Sequence, residues 1–288
     1  MNLITGAHGF LGRHLVPLIE DAITPTHGAC NYLNMDDCLN ITHEIDTVYH
    51  LAADVGGLEY LGDKGATVLY KNAMMGLNLL EASRLNRVKN LIMVGSVCEY
   101  PVGAFMREEN VFIGEPIKQT GGYGMAKRFL NYAGRCYAEE YGMRVLHCIL
   151  TNLYGPFDGT SHVVSQLVRK FCEAKKKGDA VVDVWGDGEA TRDLLYVSDA
   201  ARMLKEAGER YYGESINLAT GVETTIRELA ETIAWAADYT GKIKYVKSAP
   251  VGEKRREIDV SRMLSCKIAP EVSVREGIKE TVDCYLKK

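Results

Sequence analysis

The sequence predicts an α/β protein, a doubly wound parallel sheet followed by a smaller α/β lobe. Short apolar runs alternate with longer amphipathic stretches through the first half, and a glycine-punctuated turn joins the first pair. After Thr151 the rhythm changes to shorter, glycine-bounded pieces. Strands separated by helical segments of this length need right-handed crossovers, which stack them in parallel with helices on both faces. At 288 residues the chain can hold one large α/β unit or two unequal ones. Residues 1–155 are expected to form the sheet domain, to which a later strand returns, and 156–288 mainly the lobe.

Taken in order, Asn2–Thr5 reads as a strand and Phe10–Glu20 as a helix despite Pro17. Between Ala22 and Asn40 the pattern is poor, so any strand there is short. Thr47–Leu51 is a strand, Ala66–Leu85 a helix and Asn90–Gly95 a strand. Tyr123–Tyr141 is a helix with apolar residues at Phe129, Leu130, Ala133 and Tyr137, followed by strand Arg144–Leu150. The lobe holds a basic helix His162–Lys177, a strand Val181–Trp185 and a Gly-Asp-Gly turn at 186–188. Helices near Ser198–Tyr211, Thr225–Tyr239 and Ser273–Leu286 follow, with a strand at Lys242–Val246. Lys175–Lys177 reads as a solvated helix end, favourable to the helix dipole.

Composition narrows the function classes. Lys and Arg number 34 against 38 Asp and Glu, a net charge of −4, so no global positive field draws nucleic acid or an anionic membrane. No apolar run approaches the roughly 20 residues that cross a bilayer. The first strand begins at Asn2 and leaves no room for a signal segment. The eight cysteines are scattered, with no Cys-x-x-Cys pair, and read mostly as reduced packing residues of a cytoplasmic protein. His43 and His50 lack Cys or carboxylate partners at ligand spacing, so no metal is expected.

The first strand runs into Thr5-Gly6-Ala7-His8-Gly9-Phe10-Leu11-Gly12 and then a helix. Gly6 permits a tight turn, Gly9 lets a pyrophosphate approach the backbone, and Gly12 lets the helix pack close to the sheet. Free N–H groups at the helix start then face the phosphate charge. A dinucleotide fits this turn better than packing alone does. No acidic residue for an adenosine ribose stands out near strand 2, and no arginine for a 2′-phosphate. His8, Arg13 and His27 are the basic candidates, so these residues leave NAD and NADP both open.

Tyr123-Gly124-Met125-Ala126-Lys127 puts Tyr and Lys four apart on one helix face. An ammonium beside a phenol favours the phenolate, so Tyr123 can exchange a proton with a carbonyl or alcohol. Such a pair also arises on ordinary surface helices. Its weight comes from Ser96 at the end of the preceding strand, placed to bond the same carbonyl oxygen. Cys98, two residues on, would share a face with Ser96 in an extended segment.

TGAHGFLG, HLAA at 50–53, Ser96 and YGMAK together resemble the extended short-chain dehydrogenase/reductases, in their NAD-dependent epimerase/dehydratase family. Narrower motifs are AADVGG (52–57), GSVCEYP (95–101), TNLYGP (151–156), SHVV (161–164), VWGDG (184–188) and GVETTIREL (221–229). These are similar to the GDP-L-fucose synthase subfamily, the GDP-4-keto-6-deoxy-mannose 3,5-epimerase/4-reductases, and span nearly the whole chain. The resemblance implies a Rossmann-like fold, NADPH as cofactor with NAD not excluded, and a GDP-sugar substrate held by the lobe. It implies no nucleic-acid or membrane partner, and a homodimer pairing helices Ala66–Leu85 and Tyr123–Tyr141 across a twofold axis.

The same resemblance assigns residues. Ser96, Tyr123 and Lys127 serve the hydride step, and Cys98 and His162 form the acid/base pair of the epimerisation. Gly6, His8, Gly9, Phe10, Leu11, Gly12, Asn34, Met35, Leu51, Ala52 and Ala53 line the cofactor, which Tyr123 and Lys127 also touch. Asn152, Arg169, Lys170, Trp185, Arg192 and Arg256 take the nucleotide sugar. The sequence departs from the pattern in a shorter loop from Pro156 to His162. It also has His8 and Cys30 in place of basic residues, and Asp54 where a lysine is expected. Rival readings are a 4-reductase or one-centre epimerase/reductase of another 4-keto nucleotide sugar, and a non-catalytic dinucleotide-sensing protein.

Overall fold

The computed structural model describes residues 1–159, 162–247, 255 and 257–287. The first half alternates as β1 (Asn2–Thr5), α1 (Phe10–Leu15), β2 (Ala22–Ile23), α2 (Met35–Ile41), β3 (Thr47–His50), α3 (Leu58–Asp63), α4 (Gly65–Leu85), β4 (Asn90–Ser96), α5 (Gly121–Tyr141) and β5 (Arg144–Leu150). The second half continues β6 (Asn152–Tyr154), α6 (Val163–Lys177), β7 (Val181–Trp185), β8 (Thr191–Tyr196), α7 (Val197–Arg210), β9 (Ser215–Leu218), β10 (Glu223–Thr225), α8 (Ile226–Ala236), β11 (Lys242–Val246), α9 (Ser261–Ser265) and α10 (Val274–Leu286).

Among the described residues the main sheet runs β2-β1-β3-β4-β5-β9, every pairing parallel. Its strands are buried on both faces, and their side chains alternate between two cores. Leu3, Leu91, Met93 and Val145 pack against Leu79 and Leu80 of α4 and Leu130 and Ala133 of α5. Ile4, Ile92, Leu146 and Cys148 pack on the opposite face against Leu11 and Leu15 of α1 and Met203 and Leu204 of α7. Strand β9 comes from beyond residue 155 and pairs with β5. The C-terminal ends of β1, β3 and β4 share one edge, since Thr5 faces His50 and His50 faces Met93 in the register.

A separate sheet, β10-β8-β6, and the parallel pair β11-β7 hold a second core with α6, α8 and α10. No described helix is long and apolar enough to cross a membrane. All eight cysteines are free, and Cys30, Cys38, Cys148 and Cys172 are buried, whereas Cys136 is exposed.

One sequence expectation about these elements needs correction. The first helix stops at Leu15 and tightens into a 3-10 turn over Val16–Leu18, because Pro17 has no N–H to continue the α-helical ladder. Phe129 is 45% exposed and faces away from the core that Leu130 and Ala133 enter. The four short strands β6, β8, β9 and β10 went unread in the sequence. In β9 the run Ser215–Leu218 alternates polar and apolar residues over only four positions, too few to mark a strand, and all four are buried.

Candidate functional site

The β1–α1 turn closes tightly. Gly6 has φ +67°, and Gly9 is the N-cap residue of α1 with its N–H on the Gly6 carbonyl at 3.0 Å. A Cβ on Gly12 would strike the Gly6 carbonyl and Ala7, so only glycine lets the helix sit this near the turn. His8 is exposed, and its carbonyl accepts Arg13 Nε at 3.0 Å. Phe10 is half-buried, whereas the Leu11 side chain belongs to the core, so Leu11 can offer a ligand only its backbone.

Beside this turn Thr5 Oγ1 accepts the Leu51 and Ala52 amides, each at 3.1 Å, and meets His50 Nδ1 at 2.9 Å. Thr5 thus ties the ends of β1 and β3 together. Burial pushes His50 down to about 3, with Lys127 adding to the effect, so it is a neutral core imidazole near neutral pH. Asn34 is spent as a helix cap, its side chain accepting the Asp37 amide at 3.1 Å, and Met35 opens α2.

Ser96, Cys98, Tyr123 and Lys127 come together at the carboxyl end of β4. The Ser96–Cys98 segment is not extended, contrary to the sequence expectation. Val97–Glu99 forms a 3-10 turn in which Ser96 Oγ accepts the Cys98 amide at 3.2 Å and Glu99 Oε1 accepts the Ser96 amide at 2.8 Å. Cys98 and Ala53 pack against Tyr123, Leu61 and Val68. Lys127 Nζ lies 5.8 Å from the Tyr123 ring centroid and donates to the Val94 carbonyl at 2.7 Å.

The electrostatics differ from the simple expectation for a Tyr–Lys pair. Burial raises Tyr123, and the neighbouring Cys98 and Glu99 act in the same direction, so the phenol form is favoured. Burial pushes Lys127 down to about 8, and Glu99 acts in the opposite direction.

The lobe residues spread over several surfaces. Asn152 Nδ2 donates to the Asp193 carbonyl at 3.1 Å. Arg169 lines a cavity of about 190 Å³ with Pro156, Phe157, Gln166 and Tyr285. Its neighbour Lys170 turns to β7, donating to the Asp183 carbonyl at 3.1 Å and lying 5.4 Å from the centroid of the exposed Trp185 ring. Arg169 and Lys170 therefore serve different surfaces. Arg192 is half-buried on β8, with one guanidinium N–H on the Thr191 carbonyl at 2.6 Å. His162 is exposed at the N-cap of α6, its carbonyl accepting Gln166 N and Ser165 Oγ at 3.0 Å each. Arg256 lies outside the described residues.

Residues 2–219 match the model of the "NAD dependent epimerase/dehydratase family". The chain belongs to this family. Among curated relatives it is 31% identical to GDP-L-fucose synthase 1 of Arabidopsis thaliana, over 99% of this chain and 92% of that protein. It is 34% identical to GDP-L-fucose synthase of Escherichia coli K12, over 85% of this chain and 81% of that protein. Among solved structures, a GDP-L-fucose synthetase from Naegleria fowleri bound to NADP superimposes with a TM-score of 0.89 at 28% identity, covering 99% of this chain and 92% of that one.

In this family member the structure adds residues that the sequence reading did not single out. Asn72 brackets the backbone of Asp54, accepting its amide at 3.0 Å and donating to its carbonyl at 2.8 Å. The Asp54 carboxylate takes Tyr60 OH at 2.6 Å and Lys71 Nζ at 2.9 Å, so its charge is met locally by α3 and α4. The buried Glu99 and His147 lie behind Ser96, and only the Ser-x-x-Glu spacing of Ser96 and Glu99 hinted at the turn.

The depressed Lys127 gives a stability prediction. A lysine lowered from 10.5 to about 8 binds its proton less readily folded than unfolded. Its charge therefore costs stability below about 8, and that cost shrinks as pH rises toward the unfolded value. Lys127→Met should leave the fold as stable or more stable, by up to about 1–3 kcal/mol at pH 7. The gain should diminish between pH 8 and 10.5, as read by thermal melts, while turnover falls.

Proposed function

We propose that the protein converts a GDP-4-keto-6-deoxy-hexose to a GDP-6-deoxy-sugar by epimerisation at C3 and C5 and reduction at C4, with NADPH as cofactor. The observation that carries the reading is the packing of Cys98, in the Ser96 turn, against Tyr123. It joins a second proton-transfer group to the reductive site. The plant and bacterial relatives named as GDP-L-fucose synthases support the substrate class, and the NADP-bound Naegleria structure supports the cofactor.

The β1–α1 turn fits a dinucleotide. The positive φ at Gly6 and the collision that any side chain at Gly12 would cause form a cradle of bare backbone. NADPH, when bound there, supplies the hydride for C4. Ser96 and Tyr123 hold the C4 carbonyl oxygen, and Tyr123 gives it a proton. Lys127 contributes positive charge beside the phenol. A 4-keto group acidifies the C–H bonds at C3 and C5, because loss of either proton gives an enolate. Cys98 and His162 act from opposite faces, one removing the proton and the other returning it. Arg169 and Arg192 supply cations for the diphosphate. The homodimer of this reading would cover Leu69, Tyr70 and Tyr132, exposed on α4 and α5.

The test is proton NMR of the product made from GDP-4-keto-6-deoxy-mannose and NADPH in deuterated water. Deuterium at both C3 and C5 of a reduced sugar is expected, and Cys98→Ser should abolish the label while leaving C4 reduction. Reduction with label at one carbon or none would replace this reading with a reductase or one-centre epimerase. Absence of turnover with NADPH and NADH would overturn the substrate assignment.

A further inference from the structure

Behind the catalytic edge lies a buried acid that the proposed chemistry does not use. Glu99 is fully buried, and its Oε1 accepts the Ser96 amide at 2.8 Å and meets His147 Nε2, on β5, at 2.9 Å. The buried His147 Nδ1 and Glu99 Oε2 have no partner among the described residues, so the two side chains meet through Nε2 and Oε1 alone. The pair is built in at the level of the backbone. A Cβ on residue 95 would fall on the His147 ring and the Glu99 carboxylate, so glycine is what lets them meet beneath β4. On the other side Arg128 of α5 donates twice to the Glu99 carbonyl and to the Gly114 carbonyl. The turn that carries Ser96 and Cys98 is thereby fastened to β5 and to α5.

The position of this acid bears on the direction of proton flow. Lys127 Nζ rests on the Val94 carbonyl of β4, two residues before the Ser96 amide that Glu99 Oε1 holds, with Tyr123 on its own helix, His50 on β3 and His147 behind Glu99. Glu99 is the acidic residue among these described groups.

We propose that Glu99, clamped by the Ser96 amide and His147, is a positioning residue that keeps Tyr123 and Lys127 loaded with their protons and so poises the site for carbonyl reduction. In that step the Tyr123 O–H bond breaks as an O–H bond forms on the C4 oxygen, and the phenolate left behind regains its proton from solvent. A negative charge nearby disfavours phenolate and favours ammonium, which is the state a proton donor needs. The same charge would hinder the reverse oxidation, which starts from phenolate. The inference rests on the reductase reading for its catalytic meaning, but the charge coupling can be measured without substrate.

The experiment is a pH titration of Lys127 by NMR in protein labelled with [13C]lysine, the signal assigned by its loss in Lys127→Met. Glu99→Gln keeps the shape of the side chain and removes its charge, and should lower the Lys127 midpoint by about one pH unit or more. In turnover, the alkaline fall of kcat for C4 reduction should move to lower pH by the same amount. A folded Glu99→Gln protein with an unchanged midpoint would overturn the proposal. Should that variant not fold, the wild-type protein still decides: a histidine nitrogen spectrum with the His147 proton on Nδ1 rather than Nε2 would remove the clamp. Wild-type protein that reduces no 4-keto GDP-sugar would sink the functional reading alone, leaving the Lys127 titration to judge the coupling.

Discussion

Replacing Tyr123 with phenylalanine should lower kcat for C4 reduction by about 10²- to 10⁴-fold, the ordinary worth of a positioned proton donor. The change removes one oxygen from a side chain whose ring packs with Leu61, Val68, Ala53 and Cys98, and phenylalanine preserves that packing. Stability should therefore move by less than about 1 kcal/mol. Binding of the dinucleotide, for which the Gly6–Gly12 backbone is the proposed cradle, should also change little. The informative readout is the split between the two half-reactions. Cys98 and His162, not Tyr123, are assigned to proton exchange at C3 and C5, so the variant should still wash deuterium into the unreduced keto sugar. Loss of exchange together with reduction would show that Tyr123 belongs to both steps. Unchanged kcat would remove it from the reaction.

The first half of the fold was legible because its signals are long. Helices Gly65–Leu85 and Gly121–Tyr141 each run 21 residues, and the strands between them are apolar blocks bounded by turns. The lobe was harder to read. Asn152–Tyr154 and Glu223–Thr225 have three residues each, too short for any period, and the pairing of β6 with β8 joins segments about forty residues apart. At the site, Tyr123 and Lys127 were readable from spacing, since four residues on a helix return to the same side. Their electrostatics were not, because the sign depends on burial, which raises Tyr123 and lowers Lys127 whatever the spacing. The turn at Ser96 could have been found, because Ser-Val-Cys-Glu carries the spacing of a reciprocal cap. The contact of Glu99 with His147 spans 48 positions and exists only once β4 and β5 are side by side.

Gly124→Ala should damage both stability and catalysis, against the usual direction of such a change. In an exposed helix interior, alanine is favoured over glycine by about 1 kcal/mol. At Gly124, however, the added Cβ would run into the Cys98 carbonyl oxygen, 3.0 Å from the Cys98 carbonyl carbon and 3.2 Å from Pro116 Cβ. The obstacle is backbone on the Ser96–Glu99 turn, which Glu99 and Arg128 hold in place, so helix α5 must give way. A loss of about 1–3 kcal/mol is expected from overpacking. Tyr123 is the adjacent residue and Lys127 is one turn further along, so both would be carried away from Ser96 together. A displacement near 1 Å costs on the order of 10²-fold in rate. Gly121 provides the control on the same helix, because a Cβ there meets nothing within 4 Å. Gly121→Ala should melt at the same or a higher temperature with wild-type kcat. If the two variants behaved alike, the close seating of α5 on the Cys98 turn would not be what holds Tyr123 in place.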